Sequence, residues 1–228
     1  GVAVVYTADT TKPYVTGAEY DNKTNKLKIT FSEALDDATA ANAKVAGAVK
    51  IATAATGDSS AFDLSGETFA STDLDTTKKI LTVPVAANIS NIDAEYYTGK
   101  PIKVSFAKDV IVDQDGLKND VTTFDTGITL TYHDFVAPKL STVSADNQTY
   151  AKVAFNEPVD KTTAETASNY VIKDLAGNTL AVKSAVLQSD NKTVYLNTAA
   201  QESGKPYTLT VSNVRDLQQN LIDIDTDN

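Results

Sequence analysis

The residues with the clearest chemical potential in this sequence are carboxylates that stand at matching places in its two halves. Glu33 follows a strand-like run that ends at Phe31, and Glu157 follows a corresponding run that ends at Phe155. Carboxylate oxygens are ligands that Ca²⁺ prefers, so acidic residues that converge on one place form a candidate calcium site. The candidate ligands are Asp9, Glu33, Asp113 and Asp115 in the first half, and Asp134, Glu157 and Asp216 in the second.

The same residues also have a simpler interpretation as turn residues. Glu33 and Glu157 could bond backbone amides in the loop after the second strand, and Asp9 and Asp134 could shape turns ahead of a proline. Asp113-Gln114-Asp115-Gly116 is similar to the start of an EF-hand loop, but no helix is predicted before it and no glutamate closes it. The alternating acids of 223–227 fit a solvated strand face or a protected edge.

Few residues favour catalysis. His133 is the only histidine, and its place at the junction of the halves suits a polar linker side chain better than a Ser-His-Asp triad. Glu33 and Asp36 could form the carboxylate pair of a glycosidase, although acidic β-proteins commonly offer such pairs. The chain has no cysteine, and its 10 glycines form no phosphate-binding loop. The sequence therefore predicts a protein that is not an enzyme.

Composition limits the partners. The 228 residues include 20 lysines and arginines against 30 aspartates and glutamates, a net charge of −10. Such a surface repels nucleic acid and anionic membranes and attracts cations. No apolar run approaches the roughly 20 residues that span a bilayer. We therefore predict no nucleic-acid partner and no insertion into a membrane.

Alternating polar and apolar residues predict that strands dominate the chain. Asp and Asn side chains bond the local backbone, so tetrads rich in Asp, Asn and Thr between the strands predict turns. Three of these tetrads also fit the Asn-x-Thr glycosylation pattern, which is the alternative interpretation. The clearest strands are 26–31, 80–83, 102–106, 127–132, 194–196 and 207–211; the turns are 21–24, 75–78, 146–149 and 190–193; short helices are predicted within 36–42, 86–97 and 162–169.

The strand pattern repeats, and the repeat places the acids. About seven strands per half, with turns every 8–12 residues, are typical of a β-sandwich. Successive strands alternate in direction, so the segment before the first strand and the loops after the second and sixth strands lie at one end. The candidate ligands occupy these places in both halves, although matching Asp113 to Asp216 requires a two-residue slip.

The domain boundary is predicted from a repeated linker. Asp134 precedes Pro138 by four residues, as Asp9 precedes Pro13. This parallel predicts two domains, 9–133 and 134–228, with 1–8 as the last strand or linker of a preceding module. The second domain is expected to end within its last strand, and Phe31 and Phe155 are expected to be buried at equivalent positions.

The motifs of both halves resemble a known family. Phe31-Ser32-Glu33, Phe155-Asn156-Glu157-Pro158-Val159-Asp160, Ser168-Asn169-Tyr170 and Asp174-Leu175-Ala176-Gly177-Asn178 are similar to motifs of the bacterial Ig-like domains found in tandem in surface-layer proteins of bacilli. The second half matches over most of its length, whereas the first departs from the pattern between Ala38 and Thr56. The resemblance implies an all-β fold of two tandem Ig-like antiparallel β-sandwiches.

The resemblance also implies a role. It predicts a structural segment of an extracellular surface-layer protein that self-associates into a lattice on the bacterial cell surface and contacts neighbouring Ig-like modules, with calcium fixing the domain joints. Contact with wall polymer is expected only through regions outside these residues. The alternative is an Ig-like spacer or binding module of an adhesin or large secreted hydrolase, since such modules serve many proteins.

Overall fold

The structure is a computed structural model that describes residues 7–55, 57, 62–85 and 89–224. The chain divides into two compact units, Gly1–Asp134 and Phe135–Asn228. This division lies one residue from the boundary drawn from the repeated linker. Residues 1–6 of the predicted leading strand and residues 225–228 of the predicted last strand lie outside the described part.

The first unit consists mainly of strands, with two short α-helices and the 3₁₀ turns Leu64–Gly66 and Ser71–Asp73 among its described residues. The predicted helical segments 36–42 and 86–97 each overlap one of these helices, and the first helix ends one residue beyond its predicted segment. The strands are β1 (Val15–Asp21), β2 (Lys26–Phe31), β3 (Val49–Thr53), β4 (Phe62–Asp63), β5 (Ile80–Pro84), β6 (Ile102–Phe106) and β7 (Ile128–His133); the helices are α1 (Ala38–Ala43) and α2 (Ile89–Tyr96).

The strands of the first unit follow the order β4-β3-β6-β7-β1-β2-β5, so β7 joins the two layers of the sandwich. It pairs antiparallel with β6, where Ile128 faces Val104, and parallel with β1, where Leu130 faces Ala18. This parallel pairing departs from the expectation of purely antiparallel sheets. Because direction alternates along the chain, the first and seventh strands point the same way, and pairing between them must be parallel.

Alternation of side chains builds the core of this unit. Leu27, Ile29 and Phe31 of β2 point inward and are buried, whereas the residues between them face outward. The Phe31 ring is 3% exposed and meets Phe106 edge to face at 6.4 Å. Burying such a ring contributes roughly 1.5–3 kcal/mol.

The second unit has seven strands and one short helix among its described residues. The strands are β8 (Leu140–Asn147), β9 (Tyr150–Phe155), β10 (Tyr170–Asp174), β11 (Thr179–Leu180), β12 (Val182–Leu187), β13 (Thr193–Thr198) and β14 (Tyr207–Val211); the helix is α3 (Lys161–Ala164). Two antiparallel sheets, β12-β13-β9-β8 and β11-β10-β14, face each other across its core. The predicted helix at 162–169 is divided between α3 and a 3₁₀ turn at Ala167–Asn169.

The two units repeat the same local design around β2 and β9. Both strands show the same alternation of burial, and Phe155, like Phe31, is 3% exposed. The residue after each phenylalanine fixes the chain ahead of the first strand: Ser32 Oγ accepts from the N–H of Tyr14, and Asn156 Oδ1 accepts from the N–H of Lys139. The predicted β-sandwich fold and the equivalent burial of both rings are confirmed.

The predicted turns are built as expected. The Asp21 carboxylate accepts from the N–H groups of Lys23 and Thr24, and Asp190 binds its own turn in the same way. Asn25, which follows the first of these turns, and Asn191, which lies within the second, both have φ of 56°, a left-handed conformation that asparagine tolerates. These side chains therefore shape hairpins.

The motifs that carry the family resemblance in the second unit stabilise its fold. Asp174 is buried, and its carboxylate accepts from Asn178 Nδ2 at 3.0 Å and from Lys205 Nζ at 2.9 Å. The Asn178 and Lys205 bonds hold the pKa of Asp174 well below its usual range. Gly177 has φ of 85°, which closes this turn without steric cost. Tyr170 Oη donates to the carbonyl of Ala164, which ties β10 to α3.

Candidate metal centre

Three of the predicted ligands come together in the first unit. Asp9, Glu33 and Asp113 each offer a carboxylate oxygen, and these atoms all lie within 4.8 Å of one another. Asp9 precedes β1, Glu33 follows β2, and Asp113 lies in the turn after β6. Asp9 is exposed, Glu33 is half-buried and Asp113 is 2% exposed. We name these three residues the first acidic group; Asp115 is not part of it.

The turn around Asp113 orients its carboxylate. Oδ1 accepts from the N–H of Asp115 at 2.9 Å and of Leu117 at 2.7 Å. Its other oxygen, Oδ2, is buried and accepts no hydrogen bond, and the same holds for Oε1 of Glu33. A buried acceptor without a donor is costly in free energy. A bound cation would satisfy both oxygens, so the donor set fits a hard divalent ion.

The charges in this group perturb one another. Burial raises the pKa of Glu33, and the neighbouring carboxylates of Asp9 and Asp113 raise it further. The pKa of Asp9 is lowered instead, mainly because the N–H of Thr11 donates to it at 2.8 Å. The group therefore favours a proton, or a cation, near Glu33.

A second acidic group is formed by Asp134, Glu157 and Asp216, whose ligand oxygens also lie within 4.8 Å of one another. All three residues are buried, at 6%, 2% and 1% exposure. Asp216 Oδ1 accepts from the N–H groups of Gln218 and Asn220, both at 2.8 Å. Asn220 Nδ2 also donates to Oδ2 at 2.7 Å. Oδ2 of Asp216 therefore has a protein donor, whereas Oδ2 of Asp113 has none.

Asp134 has further partners that the sequence did not reveal. It is the last residue of the first unit, where Oδ1 accepts from Asn22 Nδ2 at 2.6 Å and Oδ2 accepts from Tyr97 Oη at 3.0 Å. Asn22 was identified only as a turn residue, and Tyr97 only as part of a predicted helical segment. Each oxygen of the Asp134 carboxylate therefore has a donor within the first unit.

The slip needed to match Asp113 with Asp216 has a structural cause. Asp113 forms an isolated antiparallel β-bridge with Leu35, and Asp216 forms one with Val159. Leu35 and Val159 each lie two residues after the glutamate of their acidic group. The two aspartates are therefore equivalent. The first unit has two more residues between its sixth strand and this turn, and the chain turns there at Asp109, which has φ of 65°.

The other candidates for chemistry occupy separate places. Asp36 accepts from the N–H of Ala38, the first residue of α1. His133 ends β7, and its Nε2 lies 3.8 Å from a carboxylate oxygen of Glu19 on the surface. The turn of Asp113 follows a strand rather than a helix, so it is not an EF-hand.

Comparison with known proteins agrees with this architecture. Residues 134–226 match the family model of the bacterial Ig-like domain. In an alignment 159 residues long that covers 61% of the chain, the sequence is 33% identical to the surface-layer 125 kDa protein of Lysinibacillus sphaericus. The chain spans 13% of the length of that relative.

Solved surface-layer structures are also similar to part of the chain. The crystal structure of the S-layer protein rSbsC(31–844) is 30% identical to it, with a TM-score of 0.37, over 39% of this chain and 13% of that one. The N-terminal part of the S-layer protein SbsC gives the same identity and score over 22% of its length. The predicted resemblance of the chain to bacterial Ig-like domains and to a surface-layer protein of a bacillus-type bacterium is confirmed by the family model and by the 33% identical relative. Among the described residues, no helix is long and apolar enough to cross a membrane.

Proposed function

We propose that this chain is a structural, non-catalytic segment of a bacterial surface-layer protein. Its Ig-like domains lie outside the cell, on the bacterial surface, and pack with copies of the same protein into a lattice. Calcium bound by the two acidic groups stiffens the segments that lead into each domain. The observation that carries the proposal is the repetition of one acidic group in both copies of the module, in a chain related to a surface-layer protein.

The repetition argues for a role in assembly rather than catalysis. The groups occupy equivalent places in two modules, as expected of a metal site that is repeated at the start of every domain in a tandem series. Each contains a residue from the segment before the domain's first strand, Asp9 or Asp134, together with two residues from loops within the domain. An ion shared by these residues would tie the leading segment to the domain that follows it.

The electrostatics support a divalent ion. Three ionised carboxylates carry a charge of −3, and Ca²⁺ leaves a net charge of −3 + 2 = −1. Two unit charges 4.8 Å apart repel by about 0.9 kcal/mol in water and by about 3.5 kcal/mol at an effective dielectric constant of ~20. A cation offsets this repulsion and also satisfies the unpaired oxygens of Glu33 and Asp113. Backbone carbonyls and water would complete the coordination.

Calorimetric titration of the chelator-treated chain with calcium tests the metal. We expect binding at two sites. Glu33→Gln with Asp113→Asn should remove one site, and Glu157→Gln with Asp216→Asn the other. The matched control is Asp115→Asn, which changes an acid outside both groups and should leave binding intact. An absence of binding heat, or equal binding by all the variants, would show that these carboxylates are ordinary loop residues.

Small-angle scattering and sedimentation velocity test the structural role. If calcium stiffens the leading segments, addition of calcium should narrow the distribution of interatomic distances measured by scattering. The double variant of the first acidic group and that of the second should each narrow it less. Self-association of the chain at high concentration is expected of a lattice protein. A chain that binds calcium but stays monomeric at all concentrations would instead favour the spacer module of an adhesin or secreted hydrolase.

A further inference from the structure

One lysine in each unit reaches the loop that carries the glutamate of the acidic group. Lys79 directly precedes β5 in the first unit, and Lys192 directly precedes β13 in the second. The carbonyl of each lysine accepts, at 2.9 Å, from the N–H of the phenylalanine that ends the facing strand, Phe31 or Phe155. The two lysines are therefore equivalent in backbone position.

The side chains of these lysines make the same contact. Nζ of Lys79 donates to the carbonyl of Ser32 at 3.4 Å. Nζ of Lys192 donates to the carbonyl of Asn156 at 3.2 Å. Ser32 and Asn156 each directly precede the glutamate of an acidic group. Each ammonium group therefore contacts the residue next to the glutamate of its own unit.

The turns that hold the two lysines differ, although the contact is the same. In the first unit, Asp75 Oδ1 accepts at 2.9 Å from the N–H of Lys79, four residues further along the chain. In the second unit, Asp190 Oδ1 accepts at 3.0 Å from the N–H of Lys192, only two residues further along. Turns of different construction thus bring an ammonium group to the same place, which favours a role for the ammonium beyond shaping its own turn.

The positive charge of Lys79 acts on the first acidic group. Burial and the carboxylates of Asp9 and Asp113 raise the pKa of Glu33, and the ammonium of Lys79 opposes that rise. Lys79 is therefore close enough to the group to offset part of the repulsion among its carboxylates.

The contact of the ammonium leaves the ligand oxygens of the first group available. Oε1 of Glu33 and Oδ2 of Asp113 are buried and accept no hydrogen bond, and Asp113 is 2% exposed. Lys79 donates to a backbone carbonyl beside the group instead, so it changes the local charge to −3 + 1 = −2 without acting as the donor of either oxygen. The two oxygens remain ligands for an ion.

We propose that Lys79 and Lys192 are specificity-determining residues that match the two acidic groups to a divalent ion. Without an ion, each ammonium is a counter-ion of its group. With a divalent ion the local charge is −3 + 1 + 2 = 0, whereas a trivalent ion leaves −3 + 1 + 3 = +1. Repulsion between the ammonium and the bound ion grows with the charge of the ion, so the lysine weakens the binding of trivalent ions most. The inference rests on the proposed function, whose calcium sites it uses.

Calorimetric titration with Ca²⁺ and with La³⁺, an ion of similar size and higher charge, tests the selectivity. The first site is measured alone, with the second removed by Glu157→Gln and Asp216→Asn. At low ionic strength, Lys79→Gln should lower the Kd for Ca²⁺ about threefold and the Kd for La³⁺ about fivefold, because the change in binding free energy is proportional to the charge of the ion. Lys192→Gln should have the same effect on the second site when the first is removed by Glu33→Gln and Asp113→Asn.

The matched control is Lys78→Gln. It removes the same charge from the neighbouring residue, whose ammonium binds Asp37 outside the acidic group. Both Kd values should then stay nearly unchanged. Equal effects of Lys78→Gln and Lys79→Gln, or equal effects of Lys79→Gln on the two ions, would overturn the proposed selectivity.

Urea unfolding in chelator tests the counter-ion without any bound metal. Lys79→Gln should lower the folding equilibrium constant of the first unit about two- to fivefold, as for exposed ion pairs, and this loss should shrink when Glu33→Gln is already present. Lys78→Gln should cause the same loss in both backgrounds. Calcium binding without coupling between Lys79 and Glu33 would refute this inference and leave the proposed function standing. Coupling in chelator without any binding heat would instead refute the calcium sites and their selectivity, and the lysine would be a counter-ion alone.

Discussion

Replacement of Glu33 by glutamine should change stability in opposite directions with and without calcium. Oε1 of Glu33 has no hydrogen-bond donor, and its carboxylate lies within 4.8 Å of those of Asp9 and Asp113. The substitution keeps the shape and removes one charge, so two repulsive interactions are lost. Each is worth between about 0.9 and 3.5 kcal/mol at that distance, depending on the local dielectric constant. For a half-buried side chain, we expect a gain of about 1–2 kcal/mol in chelator.

Calcium should reverse this order. An ion that binds only the folded state stabilises it by about 2.7 kcal/mol when its free concentration is 100 times Kd. The Glu33→Gln variant loses most of this gain, so the unsubstituted chain should be the more stable one in calcium. Urea unfolding followed by circular dichroism in the two buffers measures both values. For the Asp115→Asn control, the difference in free energy of unfolding from the unsubstituted chain should keep the same sign in both buffers. Glu157→Gln perturbs the second acidic group and so helps to assign the unfolding transitions of the two units.

The pH dependence provides an independent check. Because the pKa of Glu33 is raised in the folded state, the folded chain binds more protons than the unfolded chain above the ordinary value of 4.5. Without calcium, the stability of the first unit should therefore decrease as the pH rises from 4.5 through the raised pKa. The glutamine variant should lack this decrease. If its stability differs from that of the original chain by the same amount and sign in both buffers and at each pH, charge repulsion at this group is not the cause.

Three further predictions concern the fold. Phe155→Ala should reduce the free energy of unfolding of the second unit by about 3–5 kcal/mol, whereas truncation of Leu175, 82% exposed, should change it by less than about 0.5 kcal/mol in the same urea titration. Asp174→Asn should destabilise the second unit at pH 7, and the deficit should shrink as the pH falls below 3.8 towards the lower folded-state pKa; an unchanged deficit in acid would contradict the assigned ion pair. Gly127→Ala places a Cβ 2.8 Å from a backbone oxygen and should lower the melting temperature, at a cost of about 1–3 kcal/mol, while Gly66→Ala, with nothing within 4 Å, should not.

Local patterns in the sequence were sufficient to predict the strands and turns. The alternation in 26–31 has the period of a strand with one buried face, and this places Phe31 in the core whatever the neighbouring strands are. The tetrad at 190–193 forms its turn through side-chain bonds to residues two and three positions away. Such features depend on interactions between near neighbours in the chain. The repeat also predicted correctly that Phe155 is equivalent to Phe31, because both lie in the same local pattern.

Long-range features required the tertiary structure. The sequence indicated that Asp9, Glu33 and Asp113 lie at one end of a sandwich, but the unpaired oxygen of Asp113 depends on a turn whose register is set by a bridge to Leu35. Asn220 satisfies the equivalent oxygen of Asp216, a difference that neighbouring residues alone do not reveal. The double pairing of β7 likewise depends on strands far apart in sequence. Alternation determines which face of a strand is buried, whereas only the packing of distant segments decides which strands and which carboxylates meet.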